Sequence, residues 1–229
     1  MKVQKTIMLL ATGLLFTAGS AVAQSSSTTN KVYIDQVGNT NTVTLTQAGS
    51  GNAIGVSSSD YATITGSTNS ITMTQTGDNN KSQYKITGNT NVYTSVVTGN
   101  SNDVMITCGT SNGACTGVNI NHTIQGNGNK LVETISGSAI TSKTKIVGGL
   151  NDLDYILNSS NGKLDVDIAG DSNIMRHTQN GAAGVSGHEL KVVLTGSLNQ
   201  VTTSQAGTID TKVDIRRRTH TAGKTLDIS

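Results

Sequence analysis

The chain has no proline, no tryptophan and one phenylalanine, and aromatics make up 3% of its 229 residues. That phenylalanine, Phe16, sits in an opening stretch that reads as a secretory leader. Lys2 and Lys5, the apolar run 7–16 and Ala21-Val22-Ala23 have the order of a signal peptide, residues 1–23, with cleavage expected after Ala23. The mature chain is then expected to lack Phe, Trp and Pro altogether, which excludes an ordinary aromatic-rich globular core. Long apolar runs are also lacking. The leader's run is too short to cross a bilayer and no later segment approaches the ~20 residues required, so the mature chain is expected to be exported, and soluble or self-assembled. Net charge is nearly absent as well: 16 basic against 14 acidic residues, with Lys2 and Lys5 lost on processing. Near-neutrality favours association and argues against nucleic acid as a partner.

What remains is rich in Gly, Asn, Ser and Thr, a composition that alone suggests disorder, but it is arranged periodically. Gly-x-x-Asn occurs eleven times, starting at Gly38, Gly49, Gly66, Gly77, Gly88, Gly99, Gly109, Gly126, Gly148, Gly170 and Gly196. The unit is eleven residues, doubled to twenty-two, and a repeat of this length means a stacked architecture. After each Asn the residues alternate, as in Asn41, Val43, Leu45 and Gln47 against Thr42, Thr44 and Thr46. That is a strand with one buried face. Glycine supplies the arc. Two strands and two arcs make one turn of a coil.

Residues twenty-two apart become neighbours one rung above the other. On the outward side this pairs Lys81 with Asp103, Lys130 with Asp152, Lys143 with Asp165, Lys145 with Asp167 and Asp154 with Arg176, all of opposite sign. On the inward side it stacks Ile124, Ile146 and Ile168; Leu131, Leu153 and Met175; and Asn129, Asn151 and Asn173. The fold class expected is all-β: a two-sheet parallel β-solenoid of roughly nine strand-arc-strand rungs, amyloid-like, over residues 32–215. A short polar segment, 24–31, precedes it and a basic tail, 216–229, follows. At ~4.8 Å per rung it would be roughly 40 Å long. The rhythm breaks at 57–61, 108–117 and 182–188, which read as loops bulging from arcs.

The candidate functional residues are the inward amides that a neighbouring rung or a neighbouring copy can satisfy: Gln36, Asn41, Gln47, Asn52, Asn69, Gln75, Asn80, Asn91, Asn102, Asn129, Asn151, Asn173, Asn199 and Gln205. The arc glycines are Gly38, Gly49, Gly66, Gly77, Gly88, Gly99, Gly126, Gly148, Gly170 and Gly196.

The stretch "QVGNTNTVTLTQ", residues 36–47, resembles the curlin repeat, Gln-x-Gly-x-x-Asn-x-(small apolar)-x-x-x-Gln, and Gln47-Ala48-Gly49 opens a second copy. Degenerate copies cover most of the chain. Ile64, Ile86, Val97, Ile124, Ile135, Ile146, Leu157, Ile168 and Leu194 replace the first Gln, and charges are more frequent than in the family's major subunits. The resemblance implies a non-enzymatic subunit of curli, the extracellular functional amyloid fibres of bacterial biofilms, or the minor surface-attached nucleator. It also implies a homopolymer as the main partner, with a second curlin-like subunit, a dedicated outer-membrane secretion pore, and host or abiotic surfaces as further ones. A monomeric solenoid adhesin is the alternative from a different class.

Other constellations carry less. Cys108 and Cys115 flank a loop, and in an exported chain a disulfide across it is the expectation, with two free thiols the alternative. His177, Tyr155 and Glu133 share an inward column and are read as members of a polar stack rather than as a catalytic set. The outward pairs Asp152/Asp154 and Asp165/Asp167 could bind calcium, but Lys130, Arg176, Lys143 and Lys145 answer them, so neither metal nor cofactor is expected. Arg216-Arg217-Arg218 reads as a solvated end, with contact to an anionic cell surface as the alternative. The outward threonines suggest an ice-binding array; against this, Lys81, Gln83 and Lys85, then Asp103, Met105 and Thr107, interrupt the outward faces.

Overall fold

The computed structural model describes residues 20–25, 35–38, 40, 42–48, 52–55, 62–66, 68–77, 79–99, 101–109, 115–126, 128–148, 150–159, 161–170, 172–180, 188–196, 198–206, 212–218 and 224–228. These form a β-solenoid of two parallel sheets. The first sheet stacks Ser20–Ser25, Thr42–Ala48, Ser70–Thr76, Val92–Thr98, Asn119–Gln125, Thr141–Val147, Lys163–Ala169, Glu189–Thr195 and Lys212–Arg218. The second stacks Asp35–Val37, Ala62–Thr65, Ser82–Thr87, Val104–Cys108, Gly128–Ser138, Leu150–Ser159, Ser172–Asn180, Leu198–Ala206 and Lys224–Ile228, with the short strand Cys115–Thr116 also paired to Gly128–Ser138. Apart from Val104–Cys108 and Cys115–Thr116, which both join the second sheet, successive described strands alternate between sheets, so pairing is between neighbouring turns of the coil.

The alternation read from sequence is the alternation of burial. In Thr42–Ala48, Val43, Leu45 and Gln47 are buried, while Thr42, Thr46 and Ala48 are exposed. The rung register also agrees: Lys130 stands opposite Asp152, Lys143 opposite Asp165, Lys145 opposite Asp167 and Asp154 opposite Arg176. The apolar columns continue for several rungs. Ile124, Ile146, Ile168 and Leu194 stack in the first sheet, and Leu131, Leu153, Met175 and Val201 in the second, all with zero exposure. The aliphatic residues that replace the repeat's first Gln are core residues throughout. A strand whose neighbours above and below carry the same kind of side chain on the same face buries it fully without needing an aromatic.

Three expectations change. The strand Ser20–Ser25, which crosses the expected cleavage point after Ala23, pairs in register with residues 42–47. The coil does not stop at Ile215, because Lys212–Arg218 is a full strand of the first sheet and Lys224–Ile228 a strand of the second. The basic triplet is therefore a sheet edge, with Arg216, Arg217 and Arg218 opposite Val193, Leu194 and Thr195. Lastly, Ser82–Thr87 and Val104–Cys108 lie in the second sheet. Their outward Lys81, Gln83, Lys85, Asp103, Met105 and Thr107 therefore do not interrupt the threonine face of the first sheet, where Thr44, Thr72 and Thr94 stack in one column. Charge enters that column at Lys143, after Asn121. Of the three expected loops, 57–61, 110–114 and 182–187 lie outside the described residues.

Candidate functional site

Among the described residues, the Gly-x-x-Asn phrases build corners of the coil, and their spacing has a simple cause. The Asn side chain folds back so that Nδ2 donates to the carbonyl of the Gly three residues earlier, at 3.0 Å for Asn80 to Gly77 and 2.7 Å for Asn91 to Gly88. That ties the arc shut and points the second Nδ2 hydrogen along the stack. The glycines pack directly over one another: a Cβ on Gly126, where φ is +149°, would stand 1.6 Å from the carbonyl oxygen of Gly99. No side chain fits there, so Gly99, Gly126, Gly148, Gly170 and Gly196, stacked in succession on Gly77, are compulsory for stacking rather than for flexibility alone.

The second hydrogen makes a ladder. Asn80 donates to Asn52 Oδ1 at 2.6 Å, Asn102 to Asn80 at 2.6 Å, Asn129 to Asn102, Asn151 to Asn129 at 2.5 Å, Asn173 to Asn151 at 2.5 Å and Asn199 to Asn173 at 3.2 Å. The seven amides are buried, and all six bonds run in one direction, from donor on the later rung to acceptor on the earlier. Their chain separations are 28, 22, 27, 22, 22 and 26 residues. Each step longer than 22 spans one of the three rhythm breaks, and the ladder continues across each of them.

The opposite corner is different. Asn69 donates to Asn91 Oδ1 at 2.6 Å, but the next positions in that column are Val118, Ile140, Gly162 and His188. Val118 and Ile140 replace the amide there, and no amide follows as far as His188. Asn41 and Gly49 lie outside the described residues; Gln36 stands opposite Ile64 on the outermost strand of the second sheet.

The glutamines do not behave as a uniform ladder, and this corrects the expectation. Gln47 and Gln75 are register partners, yet Gln47 Nε2 donates to the backbone carbonyl of Ala53 at 2.8 Å, and Gln75 Nε2 donates to the carbonyl of Lys81 and to Ser82 Oγ. They brace the corner that follows. Among the described side chains of the predicted glutamines, only Gln205, donating to Gln179 Oε1 at 3.2 Å, pairs along the stack. Gln179 was missed at the sequence level although it opens a Gln-x-Gly phrase. It is fully buried, and its Nε2 also lies 2.6 Å from His188 Nδ1 and donates to Gly162.

Cys108 and Cys115 form a disulfide with Cα atoms 5.9 Å apart. The pair pins the corner where the chain leaves Val104–Cys108 and re-enters the sheet as Cys115–Thr116.

The polar stack of Glu133, Tyr155 and His177 is present as register neighbours in the second sheet, all buried. Residues from the first sheet complete it. His122 Nε2 lies 3.6 Å from Glu133 Oε2, and Ser142 Oγ donates to the same oxygen at 3.0 Å. Twenty-two-residue arithmetic finds neighbours within a sheet but not across the two, so His122 and Ser142 gave no signal. Burial pushes the Tyr155 and Tyr84 hydroxyls well above the ordinary tyrosine range, and that of Tyr93 likewise. His177 is pulled down to about 4 by burial and by the neighbouring His188. Imidazole, carboxylate and hydroxyl meet here with no opening to solvent at the carboxylate. Among the described residues, no three His, Cys, Asp or Glu converge as metal ligands.

The outward charges form alternating columns. Lys143, Asp165, Lys191 and Asp214 follow one another, as do Lys163, Glu189 and Lys212. The chain matches no family model, no curated protein and no solved structure.

Proposed function

We propose that this chain is a secreted structural subunit that self-assembles into extracellular, curli-like functional amyloid fibres serving adhesion and the biofilm matrix. The observation that supports this best is the openness of the stack. Among the described residues, Lys212–Arg218 and Lys224–Ile228 end the two sheets at one pole, and Ser20–Ser25 and Asp35–Val37 at the other. Each terminal strand has neighbours on one side only, and such an edge is a template for another chain.

Addition of a copy lengthens both sheets at once. Every backbone N–H and C=O along the new junction finds a partner, the apolar columns gain another layer, and the identical side-chain stacking of a fibre continues what the coil does internally. The bonding direction of the asparagine ladder gives the subunit, and hence the fibre, a polarity. No chemical step is needed: growth is templating.

The test is growth of the purified, processed chain, followed by thioflavin fluorescence and fibre mass with and without preformed seeds. Seeded elongation is expected. A chain that stays monomeric at high concentration yet binds surfaces is the adhesin, and the fibre reading fails.

A further inference from the structure

The two poles are chemically complementary, and the complement is specific in register. At the C-terminal pole the inward residues of Lys212–Arg218 are Val213, Ile215 and Arg217, stacked on Leu190, Val192 and Leu194. They are the uncovered end of the core: Val213 is 36% exposed, and Ile215 is only partly buried. Arg217 is half-buried, and its Nη1 is enclosed without a hydrogen-bond acceptor. At the N-terminal pole the inward residues of Thr42–Ala48 are Val43, Leu45 and Gln47, and Gln47 Oε1 is enclosed without a donor. That seat is held by Ser20–Ser25, whose register sets the small residues Ala21, Ala23 and Ser25 opposite Val43, Leu45 and Gln47. Four of that strand's six residues fall within the expected leader.

We propose that Lys212–Arg218 of a second copy takes the seat of Ser20–Ser25 on Thr42–Ala48, setting Val213 on Val43, Ile215 on Leu45 and the Arg217 guanidinium against Gln47 Oε1. This rests on the self-assembly reading and specifies its junction. The replacement exchanges two alanines for Val and Ile over an apolar column, and brings an enclosed N–H donor to an enclosed acceptor that the isolated chain leaves unmatched. The same approach extends the second sheet. Among the described residues, Lys224–Ile228 covers Leu198–Ala206 only as far as Thr203, with no strand on that side of residues 204–206. The three-residue strand Asp35–Val37 of the incoming copy fits that gap, with Gln36 over Gln205, whose Oε1 is also enclosed without a donor. Gln205 already donates to Gln179, and this register continues their column across the junction. Ser20–Ser25 is thus a self-made cover on the growth edge, and its loss on processing releases the edge.

The register is testable by cross-linking outward positions, which leaves the core untouched. With Thr44→Cys and Asp214→Cys in one processed chain, the two thiols of adjacent copies lie at parallel-strand spacing, ~4.8 Å between Cα atoms. Mild oxidation of fibres should give a reductant-sensitive ladder of covalent oligomers. Thr44→Cys with Arg216→Cys, offset by two residues along the strand, places the Cα atoms roughly 8 Å apart, beyond disulfide reach, and should give none. Charge exchange supplies a second measurement. Gln47→Lys should slow seeded elongation by about tenfold or more, because like charges are then forced together at the junction, and adding Arg217→Glu should restore it. Fibres that never cross-link through positions 44 and 214, or that cross-link equally through 44 and 216, overturn the junction while leaving self-assembly intact. A full chain retaining Ser20–Ser25 that elongates as fast as the processed chain overturns the covering role. Failure of the unsubstituted processed chain to form fibres at all overturns the functional reading itself.

Discussion

Lys191 Nζ lies 3.1 Å from Asp165 Oδ2, one rung away in the stack and 26 residues away in the chain. The same aspartate stands opposite Lys143 on its other side, so it sits between two cations. The closer pairing is with Lys191, and Arg176 likewise contacts Asp152 at 2.5 Å rather than its register partner Asp154. Register places opposite charges in neighbouring rungs; Asp165 pairs with its register partner on the later rung, and Arg176 reaches across the diagonal. Both groups of the Lys191–Asp165 pair are nearly half exposed, so solvent screens the interaction. Asp165→Lys is expected to destabilise the chain by a few tenths to about 1 kcal/mol, and Lys191→Asp added to it to recover much of that. A double-mutant cycle by denaturant unfolding that finds no coupling would contradict the stacking register at this level.

The asparagine ladder should be far more sensitive. Asn151→Ala leaves Asn173 without its acceptor and Asn129 Oδ1 without its donor, both in a buried column. A loss of about 2–4 kcal/mol is expected, since each stranded buried polar group costs about 1–3 kcal/mol. Asn121→Ala, on the outward face, should change stability by less than about 0.5 kcal/mol. Equal losses from the two substitutions in chemical denaturation would refute the ladder's role.

Stability should fall with acid because of His177. Its pKa is lowered to about 4 by burial, so between about 4 and the ordinary value near 6.5 the unfolded chain binds a proton that the folded chain refuses. The contribution is therefore complete above about pH 6.5 and is lost progressively as pH drops towards 4. Its size is on the order of 1–3 kcal/mol. His177→Gln keeps a polar side chain in the column and should flatten the profile across that window; an unchanged pH dependence of the unfolding midpoint would rule the assignment out.

Intact mass with alkylation, before and after reductant, reads the state of Cys108 and Cys115 directly. No thiol should be alkylated without reduction. The disulfide closes a short loop, so replacing both cysteines with serine should lower stability by about 2 kcal/mol, with the loss confined to the rungs around Val104–Cys108 in hydrogen exchange.

Much of this architecture was legible without coordinates because a solenoid is nearly one-dimensional. Val43, Leu45 and Gln47 face inward because strands alternate every two residues, and Ile124, Ile146 and Ile168 stack because parallel strands in register bring equivalent positions together. Local alternation and a constant repeat therefore determine the fold class, the facing and the within-sheet neighbours. The stacking of Asn129, Asn151 and Asn173 follows from the same repeat, whereas the bond from each of them back to its own Gly was seen only in the structure.

What happens between the sheets and at the ends was decided only in three dimensions. Gln47 and Gln75 read as ladder members from their spacing, yet they turn to the corner carbonyls of Ala53 and Lys81, because a longer side chain beside a tight arc reaches an unpaired carbonyl before it reaches its neighbour above. Glu133 meets His122 and Ser142 only once the facing offset of the two sheets is set by the arcs. Arg216-Arg217-Arg218 reads as a loose basic tail, since a charge at a core position breaks the hydrophobic pattern. The backbone pairs it with residues 193–195 all the same, because an edge strand is held by its ladder of main-chain hydrogen bonds and needs no apolar side chain at every inward place.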